Sequence, residues 1–387
     1  MADMSYEIAG EWVHVQYAEQ SQFREVYGFS GSQGMVNCEG VRYVPKGKPS
    51  KTLAVYMHPA STLQLLPMPP TMAKAGVHVL CAGSRFARND TPLIMEKVIL
   101  DLGAYIRHAK EKWGYEKILL CGWSGGGSLS LFYQAQAEKP SVKETPAGDP
   151  VDIRGLIPAD AMIFQAAHLS RPTMLVETID PSVLDENDPD KRDLELDVYN
   201  PKCPNQPPYT KEFIQRFRAA QLARVQRKTA WVKETLARLK GSDEMERGFI
   251  THRTMADLRF LDPAIDPNDR RPRWCYMGNP ATANNGPIGL GRFSTLRAWL
   301  SQWSLESNAD GPRSARSVSV PLLVIENSAD DAVPQPHARI IHDAAASRDK
   351  TFKVIKGATH YYQGQPELLK QAADTCLAWM AKQNLID

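Results

Sequence analysis

The segment Lys117–Phe132, KILLCGWSGGGSLSLF, constrains this chain more than any other. Five residues of buried-strand type run straight into Gly122-Trp123-Ser124-Gly125-Gly126, and an amphipathic stretch follows. A strand that turns so sharply into a helix strains the backbone at its apex. Glycines two positions to either side of the serine keep side chains from colliding across the turn. The serine then stands out at the C-terminal edge of a sheet, where open parallel sheets bind ligands, with helix N–H groups behind it. The plain alternative is a glycine turn without chemistry. A nucleotide-binding loop is set aside, because GWSGGGSL does not satisfy G-x-G-x-x-G and lacks the Gly-Lys pair of a phosphate loop.

The surroundings of this turn fix the fold class. TLAVYMHPAS reads as a buried strand ending at His58-Pro59, and GVHVLCAGSR as a second, ending at Arg85. The stretch from Asn89 to Gly114 reads as a helix, capped by Asp90 or Thr91 with Pro92 in its first turn, and Ile94, Val98, Leu102, Ile106 and Ala109 form its apolar stripe. Ala159–His168 looks like another core strand. The pattern resumes late with VPLLVIE, the helix HARIIHDAAA, TFKVIKG and a last helix, PELLKQAADTCLAWMAKQ. Continuous apolar strands alternating with helices predict an α/β fold, a mostly parallel central sheet covered by helices on both faces. The first fifty residues read as short strands and turns: EWVHVQYA alternates and GFSGSQG is turn chemistry.

Residues 173–290 break the pattern. An acidic, loop-like run (VETIDPSVLDENDPDKRDLELD) is followed by a long basic amphipathic helix striped by Ile214, Phe217, Gln221, Val225, Val232, Leu236 and Leu239. A Pro-, Asn- and Gly-rich stretch with aromatics comes next. We read 173–290 as a large, mainly helical cap inserted into a core made of 1–172 and 291–387. The acidic run Asp185–Asp197 lacks the central Gly and final Glu of a calcium loop and reads as solvated. The basic helix has a regular stripe and reads as a cap helix, not a nucleic-acid surface.

A serine is a weak nucleophile at neutral pH and needs a base, which needs an orienting acid. In chain order the acid comes next, then the histidine. VPLLVIENSADDAVP ends a strand with Asp330 and Asp331, and FKVIKGATHYY ends another with His360. Each lies just past a core strand, at the same edge as Ser124.

These pieces together, HPAS, GWSGG, NSADDAVP and GATH, resemble the α/β-hydrolase superfamily with an esterase- or lipase-like core, over about 50–170 and 318–387. The resemblance implies Ser124 as nucleophile, His360 as base and Asp330 as acid, with Asp331 the cap of the helix after Pro334 or the alternative acid. Asn327 stands where that acid loop usually has Gly, and Asn tolerates a left-handed turn. It implies an oxyanion hole from the N–H groups of Gly125 and Ala60, with Ser61 the alternative and His58 holding the loop. The superfamily commonly has His-Gly after this strand; here Pro59 follows His58. It further implies cleavage of a carboxylic ester or lactone through an acyl-enzyme, with no cofactor and no metal. Thioester hydrolysis, carbon–carbon bond hydrolysis and acyl transfer use the same groups. A binding protein on an inactive core is the rival from another class, and the filled triad positions argue against it.

Ser61, Trp123 and Trp274 are candidate substrate contacts. Trp274, Tyr276 and Met277, with Trp299 and Trp303, form either a pocket wall or the cap's own core. His168 either touches substrate or is a satisfied loop histidine. The cap's aromatic content points to a small-molecule substrate with an apolar part.

The 387 residues allow one large domain or two. A net charge of +2 demands neither nucleic acid nor an anionic membrane as partner. No apolar run approaches the ~18 residues of a membrane span, and the first residues lack the basic-then-apolar order of a signal peptide. Six scattered cysteines without a C-x-x-C pair suit a reducing, cytoplasmic setting, with neither a disulfide framework nor a zinc site. A homo-oligomer stays open.

Overall fold

The computed structural model describes residues 5–19, 34–266 and 268–386. The strands are β1 (Ile8–Ala18), β2 (Met35–Pro45), β3 (Thr52–His58), β4 (His78–Gly83), β5 (Lys117–Ser124), β6 (Ala161–Ala167), β7 (Val183–Asp185), β8 (Asp188–Arg192), β9 (Gly248–Ile250), β10 (Phe293–Thr295), β11 (Leu322–Asn327) and β12 (Lys350–Ile355). The helices are α1 (Met68–Lys74), α2 (Met95–Glu111), α3 (Gly125–Glu138), α4 (Arg171–Thr178), α5 (Lys211–Leu239), α6 (Pro280–Asn285), α7 (Leu296–Gln302), α8 (Gly311–Ala315), α9 (His337–Ala344) and α10 (Pro366–Lys382). The turn expected at GFSGSQG lies, apart from Gly34, outside the described residues.

Eight strands form one sheet in the order β1-β2-β4-β3-β5-β6-β11-β12. The pairings β1–β2 and β2–β4 are antiparallel, and those from β4 to β12 are parallel. This is the α/β-hydrolase fold. The central strands read as unbroken apolar runs because both their faces are covered. Alternate residues feed opposite layers: Leu53, Val55, Ile118 and Leu120 pack with α2 and α3, whereas Ala54, Tyr56, Leu119 and Cys121 pack with α1 and α10. Strand β1, paired on one edge only, keeps the alternation: Val13 and Val15 are buried and Trp12 is exposed.

Helix α2 begins later than the sequence suggests. Its N-cap is Ile94, with no side-chain cap. Asp90 is drawn away by Arg171, whose Nη2 donates to Asp90 Oδ2 at 2.5 Å; an ion pair outweighs a surface cap. The expected stripe Ile94, Val98, Leu102, Ile106 and Ala109 is buried.

Between β6 and β11 the chain leaves the sheet and builds its own small cores. Leu175, Val225, Val232, Trp299 and Trp303 share one cluster, so α4, α5 and α7 pack together and the cluster runs past residue 290. Trp299 and Trp303 therefore belong to a core. The acidic run is solvated only in part. It contains the hairpin β7–β8, where Asp188 and Asp190 are exposed, whereas Glu186 pairs with Arg224 and Asp197 with Arg253 and Arg192. Arg253 also holds Asp180. Buried charges persist where paired.

The six cysteines are free and buried. Among the described residues no helix is long and apolar enough to cross a membrane.

Candidate active site

Strand β5 ends on Ser124, α3 begins at Gly125, and Ser124 sits at φ 53°, ψ −126°. A non-glycine residue there costs of order 1–3 kcal/mol, held by the surrounding packing. The packing is visible at the glycines. A Cβ on Gly126 would lie 2.3 Å from the Met57 carbonyl oxygen, and one on Gly122 would lie 2.6 Å from Gly127 Cα. Side chains at either position would push strand and helix apart. Ser124 pairs with Ala167 of β6 after a register shift at Trp123.

The loop after β3 is organised by its histidine. His58 Nδ1 accepts the N–H groups of Ala60 at 3.1 Å and Ser61 at 2.9 Å. This corrects the expected oxyanion donors: both N–H groups are turned onto the imidazole. The same bonds fix the tautomer, leaving the His58 proton on Nε2. Nε2 would lie 2.7 Å from a Cβ on Gly125, beside the first turn of α3. Burial, then the Arg171 and His360 charges, push the His58 pKa down to about 3, so the ring is neutral.

The acid and base meet beside Trp123. His360 Nδ1 lies 3.0 and 2.9 Å from the two carboxylate oxygens of Asp330, and both side chains are buried. Asp330 Oδ1 also accepts the N–H groups of Ala332 and Val333 at 2.8 and 2.7 Å, which locks the carboxylate. With its Nδ1 proton on Asp330, His360 keeps Nε2 as acceptor. Its ring lies 4.3 Å from that of Trp123, the residue before Ser124. Trp123 is thus buried against the imidazole, and Tyr361 packs on both rings.

Asp331 does not cap the following helix. The N-cap of α9 is Pro336, without a side-chain bond, and Asp331 Oδ1 accepts the His360 backbone N–H at 3.4 Å. Burial, then the neighbouring Asp330, raise the Asp331 pKa.

The insertion reaches this pair through Tyr276, whose N–H donates to the Asp331 carbonyl at 2.9 Å. Its ring lies 6.4 Å from that of His360. Trp274 is partly exposed with the Arg271 guanidinium 4.4 Å over its ring. Ser61 is exposed at the loop after β3.

Two residues next to β6 carry more than the sequence revealed. His168 is buried and its Nδ1 has no partner, so it is not a satisfied loop histidine. Arg171, which the sequence reading passed over, is buried at the start of α4. Its one available signal was position: a cation in HLSRP, just past the strand that borders Ser124.

No protein-family model matches the chain, and no curated protein does. Solved structures similar to it include Est1E from Butyrivibrio proteoclasticus (TM-score 0.49, 13% identity, covering 91% of this chain and 96% of that one). A bacterial heroin esterase is similar at TM-score 0.46 and 11% identity, covering 98% and 85%. So is a monoacylglycerol lipase of Paleococcus ferrophilus, at TM-score 0.44 and 12% identity, covering 90% and 100%.

Proposed function

We propose that this chain is a serine hydrolase that cleaves a carboxylic ester or lactone through an acyl-enzyme. The observation that carries this reading is the buried Asp330–His360 pair set against a strained strand-to-helix serine. Ser124 Oγ attacks the carbonyl while His360 Nε2 takes its proton. Asp330 holds the imidazole in register and stabilises the imidazolium that forms. The proton then passes from His360 to the leaving oxygen, and water, activated by the same imidazole, releases the acid.

The tetrahedral oxyanion is received by the Gly125 N–H and, in place of the Ala60 N–H, by the Nε2–H of His58. A neutral imidazole donates without competing for the proton that His360 must carry. Each well-aimed donor contributes about 3 kcal/mol to the transition state. Thioesters and carbon–carbon bonds would meet the same groups. The insertion roofs the site through Tyr276, and Trp274 and Ser61 are its outer contacts. Excluding water there strengthens the oxyanion contacts.

The test is turnover of a panel of aryl esters of increasing acyl length beside a lactone and a thioester. The reading expects the oxygen esters or the lactone to have the highest kcat/KM. Turnover confined to the thioester would reassign the reaction.

A further inference from the structure

Arg171 is 5% exposed and lies four residues beyond Ala167, the register partner of Ser124. A guanidinium has five N–H donors. One Nη2–H goes to Asp90, whose carboxylate is itself part-exposed, and the flat face lies 4.1 Å over the Trp303 ring. Among the described residues no other acceptor is bonded to the guanidinium, and Nε is buried without a partner. Leaving such donors unmatched costs far more than leaving them in water.

The acids of the candidate site do not fill the gap. Asp330 is committed to His360, Ala332 and Val333, and Asp331 to the His360 backbone. The surrounding groups are imidazoles and a phenol. Arg171 sits close enough to His58 and His168 to depress both their pKa values, after the effect of burial, and Tyr276 feels its charge as well. His168, 7% exposed, adds a second buried nitrogen without a partner, its ring Nδ1. One side of the site therefore carries a buried guanidinium whose one bonded anion, Asp90, takes a single Nη2–H and leaves Nε–H open.

We propose that Arg171 and His168 form an anion subsite beside Ser124, and that the ester or lactone cleaved there carries a carboxylate. This rests on the hydrolase reading above and narrows its substrate. The planar fork of Arg matches a carboxylate in two parallel hydrogen bonds, and the stacked Trp303 holds that fork in one plane. The apolar part of the substrate lies between this anchor and the scissile bond.

The experiment compares two phenyl esters, the half-acid phenyl hydrogen glutarate and the uncharged phenyl hexanoate. Wild type should show at least a tenfold higher kcat/KM for the half-acid. In Arg171→Met the ratio of the two kcat/KM values should fall at least 50-fold, with Arg171→Lys between. Because the ratio is read within each variant, a general loss of folded protein cancels. On the wild-type protein, glutarate should compete with phenyl hexanoate, and glutaramide at the same concentration should not. A ratio near one in wild type, an unchanged ratio in Arg171→Met, or equal inhibition by glutarate and glutaramide would overturn the subsite while hexanoate turnover left the hydrolase reading standing. Failure to turn over either ester, with no phosphonate adduct on Ser124, would overturn both.

Discussion

His360 Nδ1 lies 2.9 Å from Asp330 Oδ2, and neither side chain is more than 2% exposed. The neighbouring acid, Asp331, reaches the same histidine only through its backbone N–H, at 3.4 Å. The two aspartates therefore separate by substitution. Asp330→Asn should lower kcat by about 10⁴, since the amide presents an N–H where the ring needs an acceptor and the imidazolium loses its counter-charge. Asp331→Asn keeps an oxygen for the backbone N–H and should cost less than tenfold. Steady-state kinetics on both variants decides. A larger loss at Asp331 would transfer the orienting role to it.

The oxyanion assignment depends on His58. His58→Ala should lower kcat by about 10²–10³ with a smaller change in KM, the signature of a contact made in the transition state. The expected comparison is Ala60→Pro, which removes the N–H that Nδ1 accepts. It should cost less, because the Nε2 donor survives. A loss confined to Ala60→Pro would return the donor role to that backbone group.

His58 also gives the fold a pH dependence. Its pKa is about 3 in the folded chain, against about 6.5 when unfolded. Between those values the unfolded chain binds a proton that the folded chain refuses, so stability rises with pH across this window. It is complete above about pH 6.5 and is lost as pH falls toward 3. His168, depressed for the same leading reason, acts in the same direction. Thermal unfolding of His58→Gln should therefore show a shallower slope of Tm against pH between about 6.5 and 3 than wild type. An identical slope would mean that the ring is protonated in the fold.

The sheet was legible because its strands, covered on both faces, carry no polar alternation to confuse with anything else. Ser124, Asp330 and His360 stood out because each is a chemically distinctive residue just past a core strand. What escaped depends on partners far apart in the chain. Asp90 looks like a helix cap until Arg171, 81 residues on, claims it. Glu186 and Asp197 look as solvated as the exposed acids between them until Arg224 and Arg253 claim them. Ala60 looks like an oxyanion donor until the ring two residues before it turns back and takes its N–H. The unmatched donors of Arg171 have no sequence signal at all, because an orphaned hydrogen bond exists only once the rest of the chain has failed to supply an acceptor.

The central claim is that Ser124 is a nucleophile. Its most direct test is mass spectrometry of peptides after incubation with a fluorophosphonate, on wild type and Ser124→Ala. The account predicts one phosphonyl adduct, on Ser124, absent from the variant, which should remain folded because the serine packs little of the core. An adduct on Ser61 or Ser128, or no adduct on a folded wild-type chain, would contradict it.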